Sequence, residues 1–215
     1  MDFAGKKFSV LGDSVSTYRG ITTDDPNTFY NRTMCGKGGF RDVGDTWWMR
    51  TISALGGVFE RDNAYAGSCV ADGYGLGRGM CSLRRTEDLG QPDVILIFGG
   101  ANDLGFGVSP EAFREAYGLM LARLRERYPA AAVFCGTLIN GRKVLADEPY
   151  FMGKEPGKEL EPFSSIIREC AAAAGASVVD MAASGLEYDA IDGCHPTAGG
   201  MAQLAALWIG ALRSA

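Results

Sequence analysis

The run Val94-Ile95-Leu96-Ile97-Phe98 is apolar at every position. A strand with one wet face alternates apolar and polar residues, so an unbroken run fits a strand covered on both faces, as at the centre of a parallel sheet. Four more short apolar runs flank it, at residues 8–11, 58–63, 131–135 and 177–180, the second being the poorest. Helix signals lie between them. Ser109-Pro110-Glu111 supplies a cap, a proline for the first turn and an early acid, and Phe113, Tyr117, Met120, Leu121 and Leu124 supply the buried stripe. Pro129 closes that helix. A second is predicted over 161–174 with Gly175 as its stop, and a third after Pro196, capped by Thr197 and carrying Met201, Leu204, Leu207, Trp208 and Leu212. Strands alternating with helices imply βαβ units and a mostly parallel sheet covered on both sides.

No repeat and no linker interrupts the 215 residues, so one domain over 1–215 is expected. Residues 17–48 (polar and aromatic) and 138–162 (charged, with several prolines and glycines) do not fit the alternation and read as long loop insertions. Loops of that length in a compact domain are usually functional, and the first leaves from a strand's carboxyl end, where open parallel sheets bind ligands. The 30 glycines exceed the usual share of about 7%, which implies many tight turns.

Composition removes several classes. A net charge of −5, without blocks of like charge, argues against a nucleic-acid binder. The apolar stretch 201–212 is broken by Gln203 and is too short for a membrane span, and Asp2, Lys6 and Lys7 leave no export-type apolar run at the start. None of the six cysteines forms a CxxC pair, and one histidine leaves little with which to build a zinc site. Cys135 and Cys170 read as buried thiols, and a cytoplasmic setting is expected, with no metal and no cofactor.

The chemistry-bearing residues fall at strand ends. His195 is the only histidine, in Asp192-Gly193-Cys194-His195-Pro196 before the last helix. Asp192 can curl back onto one ring nitrogen and leave the other free as a base; alternatively His195 simply packs ahead of the helix. Gly12-Asp13-Ser14-Val15-Ser16 follows the first run directly. Ser14 reads as a nucleophile whose own N–H faces an oxyanion, or Asp13 or Ser14 as an ordinary helix cap. Asn102 in Gly100-Ala101-Asn102-Asp103 reads as an oxyanion donor or a turn residue. Gly67 in Asn63-Ala64-Tyr65-Ala66-Gly67-Ser68 allows a close backbone approach or merely turns the chain. Taken together, a nucleophile, oxyanion donors and an oriented base at four strand ends make the parts list for acyl transfer.

GDSVS, GAND and DGCHP in that order resemble the SGNH hydrolase (GDSL esterase/lipase) superfamily, with matching blocks from residue 12 to residue 196. The resemblance implies an α/β flavodoxin-like three-layer sandwich with about five mostly parallel strands. It assigns Ser14 as nucleophile and first oxyanion donor, Gly67 and Asn102 as the other donors, and Asp192 and His195 as orienting acid and base. Gly67 is the softest match, because Gly73, Gly75, Gly77 and Gly79 lie nearby. No G-x-S-x-G elbow occurs, which separates the chain from α/β-hydrolases.

The expected activity is that of a serine esterase acting on short acyl esters, acetyl groups on a small carbohydrate first, with a lysophospholipase or thioesterase, or a non-catalytic carbohydrate- or lipid-binding module, as the alternatives. Phe29, Tyr30, Phe40, Trp47 and Trp48, in or beside the first insertion, read either as substrate-stacking rings or as core anchors. Cys69 and Cys194, next to site positions, read as packing.

Overall fold

A computed structural model of the protein describes residues 1–22, 28–151 and 160–215. Five strands form the main sheet: β1 (Lys7–Gly12), β2 (Val58–Ala64), β3 (Val94–Phe98), β4 (Ala132–Gly136) and β6 (Ser177–Val179), in the order β2-β1-β3-β4-β6. Every pairing in it is parallel. All five residues of β3 are buried, as an uninterrupted apolar run requires. At the sheet's edge β2 is wet at its start and buried only from Asp62 onward, which is why its run is the poorest of the five.

The long helices stand where the capping and stripe signals place them. The helix α5 (Pro110–Arg127) is capped by Ser109, whose side chain accepts from the Ala112 N–H, and buries Phe113, Tyr117, Met120, Leu121 and Leu124. The helix α6 (Glu161–Ala173) ends just before Gly175, which takes the left-handed φ of 65°. The helix α7 (Ala198–Arg213) is capped by Thr197 and packs on α2 (Trp47–Ala54). With helices covering the sheet, the architecture is the expected α/β fold.

The two insertions hold more regular structure than their composition suggests. Residues 17–48 contain α1 (Arg32–Gly38), capped by Asn31, and run into α2, capped by Thr46. Residues 138–162 contain β5 (Gly141–Lys143), which pairs in parallel with β7 (Tyr188–Ala190) as a separate two-stranded sheet. Parts of both insertions, 23–27 and 152–159, lie outside the described residues. Among the described residues, no helix is long and apolar enough to cross a membrane.

Strand register gathers the candidate residues. Gly12 lies beside Ala64 on one side and Phe98 on the other. Ser14, Gly67 and Asn102 each follow those positions by a few residues, so three chain segments leave the sheet together at its carboxyl edge.

Candidate active site

The turn that carries Ser14 begins where β1 stops. Gly12 is required there: a Cβ on it would stand 2.5 Å from Ser16 Oγ and 2.9 Å from the Phe98 carbonyl oxygen. Residues Ser14–Ser16 form one 3-10 turn, and Asp13 caps it by accepting the Val15 N–H at 3.0 Å. The capping reading therefore holds for Asp13, which leaves the Ser14 side chain free of that role. Two tryptophans fix the turn from the far side. Trp48 Nε1 donates to the Ser16 carbonyl at 2.9 Å and Trp47 Nε1 to Ser16 Oγ at 3.3 Å.

Ser14, His195 and Asp192 meet across 181 residues of sequence. His195 Nε2 lies 2.8 Å from Ser14 Oγ, and Nδ1 lies 2.7 Å from Asp192 Oδ2. The other Asp192 oxygen accepts the backbone N–H groups of Cys194 (3.0 Å) and His195 (2.8 Å). Burial pushes the Asp192 carboxyl up, but the hydrogen bonds from His195 and these two N–H groups outweigh it and hold it below the ordinary value. An ionised carboxylate only accepts, so Nδ1 carries the proton and Nε2 presents its lone pair to the Ser14 hydroxyl. Ser14 and His195 are buried, at 5% and 1% exposure, so little water competes for these bonds.

Both insertions brace the histidine. Phe29 stacks flat on the imidazole, with ring centroids 3.5 Å apart and planes 10° from parallel. Phe151 meets it edge-on at 4.9 Å, and the Phe151 backbone N–H donates to the Asp192 carbonyl at 2.9 Å. Tyr30 Oη donates to the Pro196 carbonyl at 2.9 Å, and Tyr188 Oη to that of Cys194 at 2.6 Å. Of the five aromatics singled out from the sequence, Trp47, Trp48 and Tyr30 are fully buried, Phe40 packs beside Tyr30, and Phe29 alone lies on the histidine. The tryptophans and Tyr30 are anchors, not stacking platforms.

Gly67 and Asn102 come together through Ser68. Asn102 Nδ2 donates to the Ser68 carbonyl at 2.9 Å, which uses one of its two amide protons and leaves the other. Gly67 has a φ of 75°, so the backbone favours glycine there, and a Cβ would meet only the exposed Leu76 side chain, 2.6 Å from its Cδ1. Asp103 locks this loop onto α4 (Ala101–Gly105) by accepting the N–H groups of Val70 (2.7 Å) and Ala71 (3.0 Å).

Burial leaves its mark on the surrounding acids and thiols. Asp13 and Asp103 are each pushed up to about 6 by burial, against the N–H bonds that favour their charged forms. Burial likewise raises the Cys69 thiol to about 12 and holds the Cys194 thiol well above its usual range, so neither is a ready thiolate. Among the described residues, no group of His, Cys, Asp and Glu side chains is placed to hold a metal ion. Arg85, Asp103 and Phe151 were not legible as site neighbours; for Asp103 the available signal was an acid next to Asn102 at a strand end.

Residues 6–142 match the family model for GDSL-like lipase/acylhydrolase. No curated protein matches the chain in sequence. Among solved structures, a GDSL-like lipase from Bacteroides uniformis is 26% identical, with a TM-score of 0.74 over 98% of this chain and 97% of its own. A carbohydrate acetylesterase from Sinorhizobium meliloti is 15% identical, with a TM-score of 0.69 over 98% and 100%. A family 2 carbohydrate esterase with a carbohydrate-binding domain, from Corynascus thermopiles, is 18% identical, with a TM-score of 0.64 over 99% of this chain and 67% of its own. The last two likenesses are of fold.

Proposed function

Since the chain belongs to the GDSL-like lipase/acylhydrolase family and is an ester-bond hydrolase, we propose that it is a serine esterase of short acyl groups, acetyl groups on a small carbohydrate first, with Ser14 as nucleophile. The observation that carries this reading is the unbroken Asp192–His195–Ser14 hydrogen-bond chain. Ser14 Oγ attacks the ester carbonyl as His195 Nε2 takes its proton. The C–O bond to the alcohol breaks, His195 returns that proton to the leaving oxygen, and an acyl group stays on Ser14. Water then adds under the same base and the acid departs. Asp192 holds the ring and stabilises the imidazolium, while the N–H groups of Ser14 and Gly67 and the amide of Asn102 receive the oxyanion.

The short-acyl preference is supported by two structures of like fold that are carbohydrate esterases, one of them an acetylesterase. The cytoplasmic setting belongs to the same proposal and is supported by six free cysteines, four of them buried.

One observation favours the longer-chain reading, a lysophospholipase or thioesterase. Leu76 lies against Gly67 yet is 64% exposed, and Phe106 sits beside Gly75, which makes an apolar shelf next to a proposed oxyanion donor. A chromogenic ester series from acetate to octanoate, with wild type beside Ser14→Ala, separates the two. Acetate turning over fastest, and only with Ser14 present, supports the proposal; faster octanoate turnover replaces the acetyl preference with the shelf reading, and unchanged activity in Ser14→Ala removes the mechanism.

A further inference from the structure

Arg85 is a buried cation at the point where the reacting segments meet. It projects from the short helix α3 (Leu83–Glu87) and is 2% exposed. Its Nη2 donates to the Gly12 carbonyl at 2.7 Å and to the Asn63 carbonyl at 2.8 Å, with Nε also on Asn63 at 3.2 Å. Nη1 donates to the Arg78 carbonyl at 2.7 Å and to Ser68 Oγ at 3.2 Å. Gly12 lies two residues before Ser14, and Ser68 directly follows Gly67 and takes the Asn102 amide on its own carbonyl. One rigid fork thus ties together the chain segments that carry Ser14 and Gly67, and Asn102 joins them through its bond to the Ser68 carbonyl.

Fold stability alone gives a poor account of this placement. Taking a guanidinium out of water is costly, and apolar packing of similar volume is often as stable or more so. Burial lowers the Arg85 guanidinium to about 10, with the nearby Asp62 and Asp13 acting against that fall, so it stays protonated at neutral pH. A planar fork with five donors fixes several acceptors relative to one another, which a flexible ammonium does not do.

We propose that Arg85 is a positioning residue of the oxyanion hole, aligning the Ser14, Gly67 and Asn102 donors through its bonds to the Gly12 and Asn63 carbonyls and the Ser68 hydroxyl. The inference rests on the reading of those three groups as the hole. Donors aimed at a developing oxyanion lose most of their value when displaced, because they stabilise the transition state and not the bound ester. Disturbing the fork therefore lowers kcat and leaves KM nearly unchanged.

The test uses the intact protein and p-nitrophenyl acetate, with variants Arg85→Lys and Ser68→Ala and melting followed by circular dichroism. Arg85→Lys keeps the charge but reaches fewer acceptors, and its kcat is expected to fall about 100-fold. Ser68→Ala removes one link of the fork, and a fall of about tenfold is expected, with KM within threefold in both. A kcat within twofold of wild type in either folded variant, or a loss confined to KM, overturns the proposal. Should Arg85→Lys fail to fold, Ser68→Ala decides by the same criterion. Ser14→Ala runs alongside: retained activity there sinks the underlying assignment, whereas an inactive Ser14→Ala beside fully active Arg85 and Ser68 variants sinks only the positioning role.

Discussion

Replacing Asp192 by asparagine isolates what the carboxylate does for His195. In the native site one carboxylate oxygen accepts two backbone N–H groups, at 3.0 and 2.8 Å, and the other accepts Nδ1–H at 2.7 Å. Asparagine has one acceptor oxygen and one NH₂ group. If its oxygen keeps the two N–H groups, its NH₂ faces Nδ1 and forces that nitrogen to be unprotonated. The proton then sits on Nε2, which faces Ser14 Oγ as a donor and cannot accept the serine proton. Turning the amide over sets its NH₂ against two backbone donors instead. The wrong tautomer costs about 10⁴ in kcat, or roughly 5 kcal/mol. Folding loses one charge-assisted bond, about 1.5–3 kcal/mol, so the variant still folds but melts several degrees lower. Stopped-flow hydrolysis of p-nitrophenyl acetate, with circular dichroism to confirm the fold, measures both. A folded Asp192→Asn enzyme with kcat within tenfold of wild type refutes the reasoning.

Two more perturbations test the site from other sides. Asn102→Ala removes a proposed oxyanion donor and the bond to the Ser68 carbonyl; kcat is expected to drop about 10²–10³-fold with KM little changed, and steady-state kinetics on acetate esters read the split. Asp13 is held at about 6 by burial, against its ordinary 3.8. Because the folded state binds this proton more tightly than the unfolded chain, stability falls as pH rises from about 4 to 6, by about 3 kcal/mol. Asp13→Asn lacks that term, so its melting temperature relative to wild type should climb by several degrees between pH 4 and pH 7, and a flat difference contradicts the burial argument.

The sheet was legible because its strands are apolar in short, bounded runs, and the long helices because Ser109, Thr197 and Gly175 mark their ends. Those signals are local, carried by neighbouring residues. The helix Trp47–Ala54 was hidden because its two tryptophans in sequence resemble a binding stretch; their roles are set by Ser16 and Trp208, far away in the chain. The strands Gly141–Lys143 and Tyr188–Ala190 are three residues each and partly polar, so no periodicity can build up. At the site, Ser14, Gly67, Asn102, Asp192 and His195 stood out because glycine, proline and polar residues cluster at strand ends. Arg85 did not, since its meaning lies in bonds to carbonyls 73 and 22 residues away. Phe29 and Phe151 reach His195 from two separate insertions, and no pattern in either segment points to an imidazole.

The most direct test of the account is whether Ser14 is an activated nucleophile. A fluorophosphonate transfers its phosphonyl group to such a serine with loss of fluoride, leaving a stable adduct. Wild type treated with this reagent, digested and read by mass spectrometry should carry one adduct, on the peptide containing Gly12-Asp13-Ser14, and lose its esterase activity in step. His195→Ala should label far more slowly. An adduct on a different residue, or esterase activity that survives full labelling of Ser14, would contradict the account.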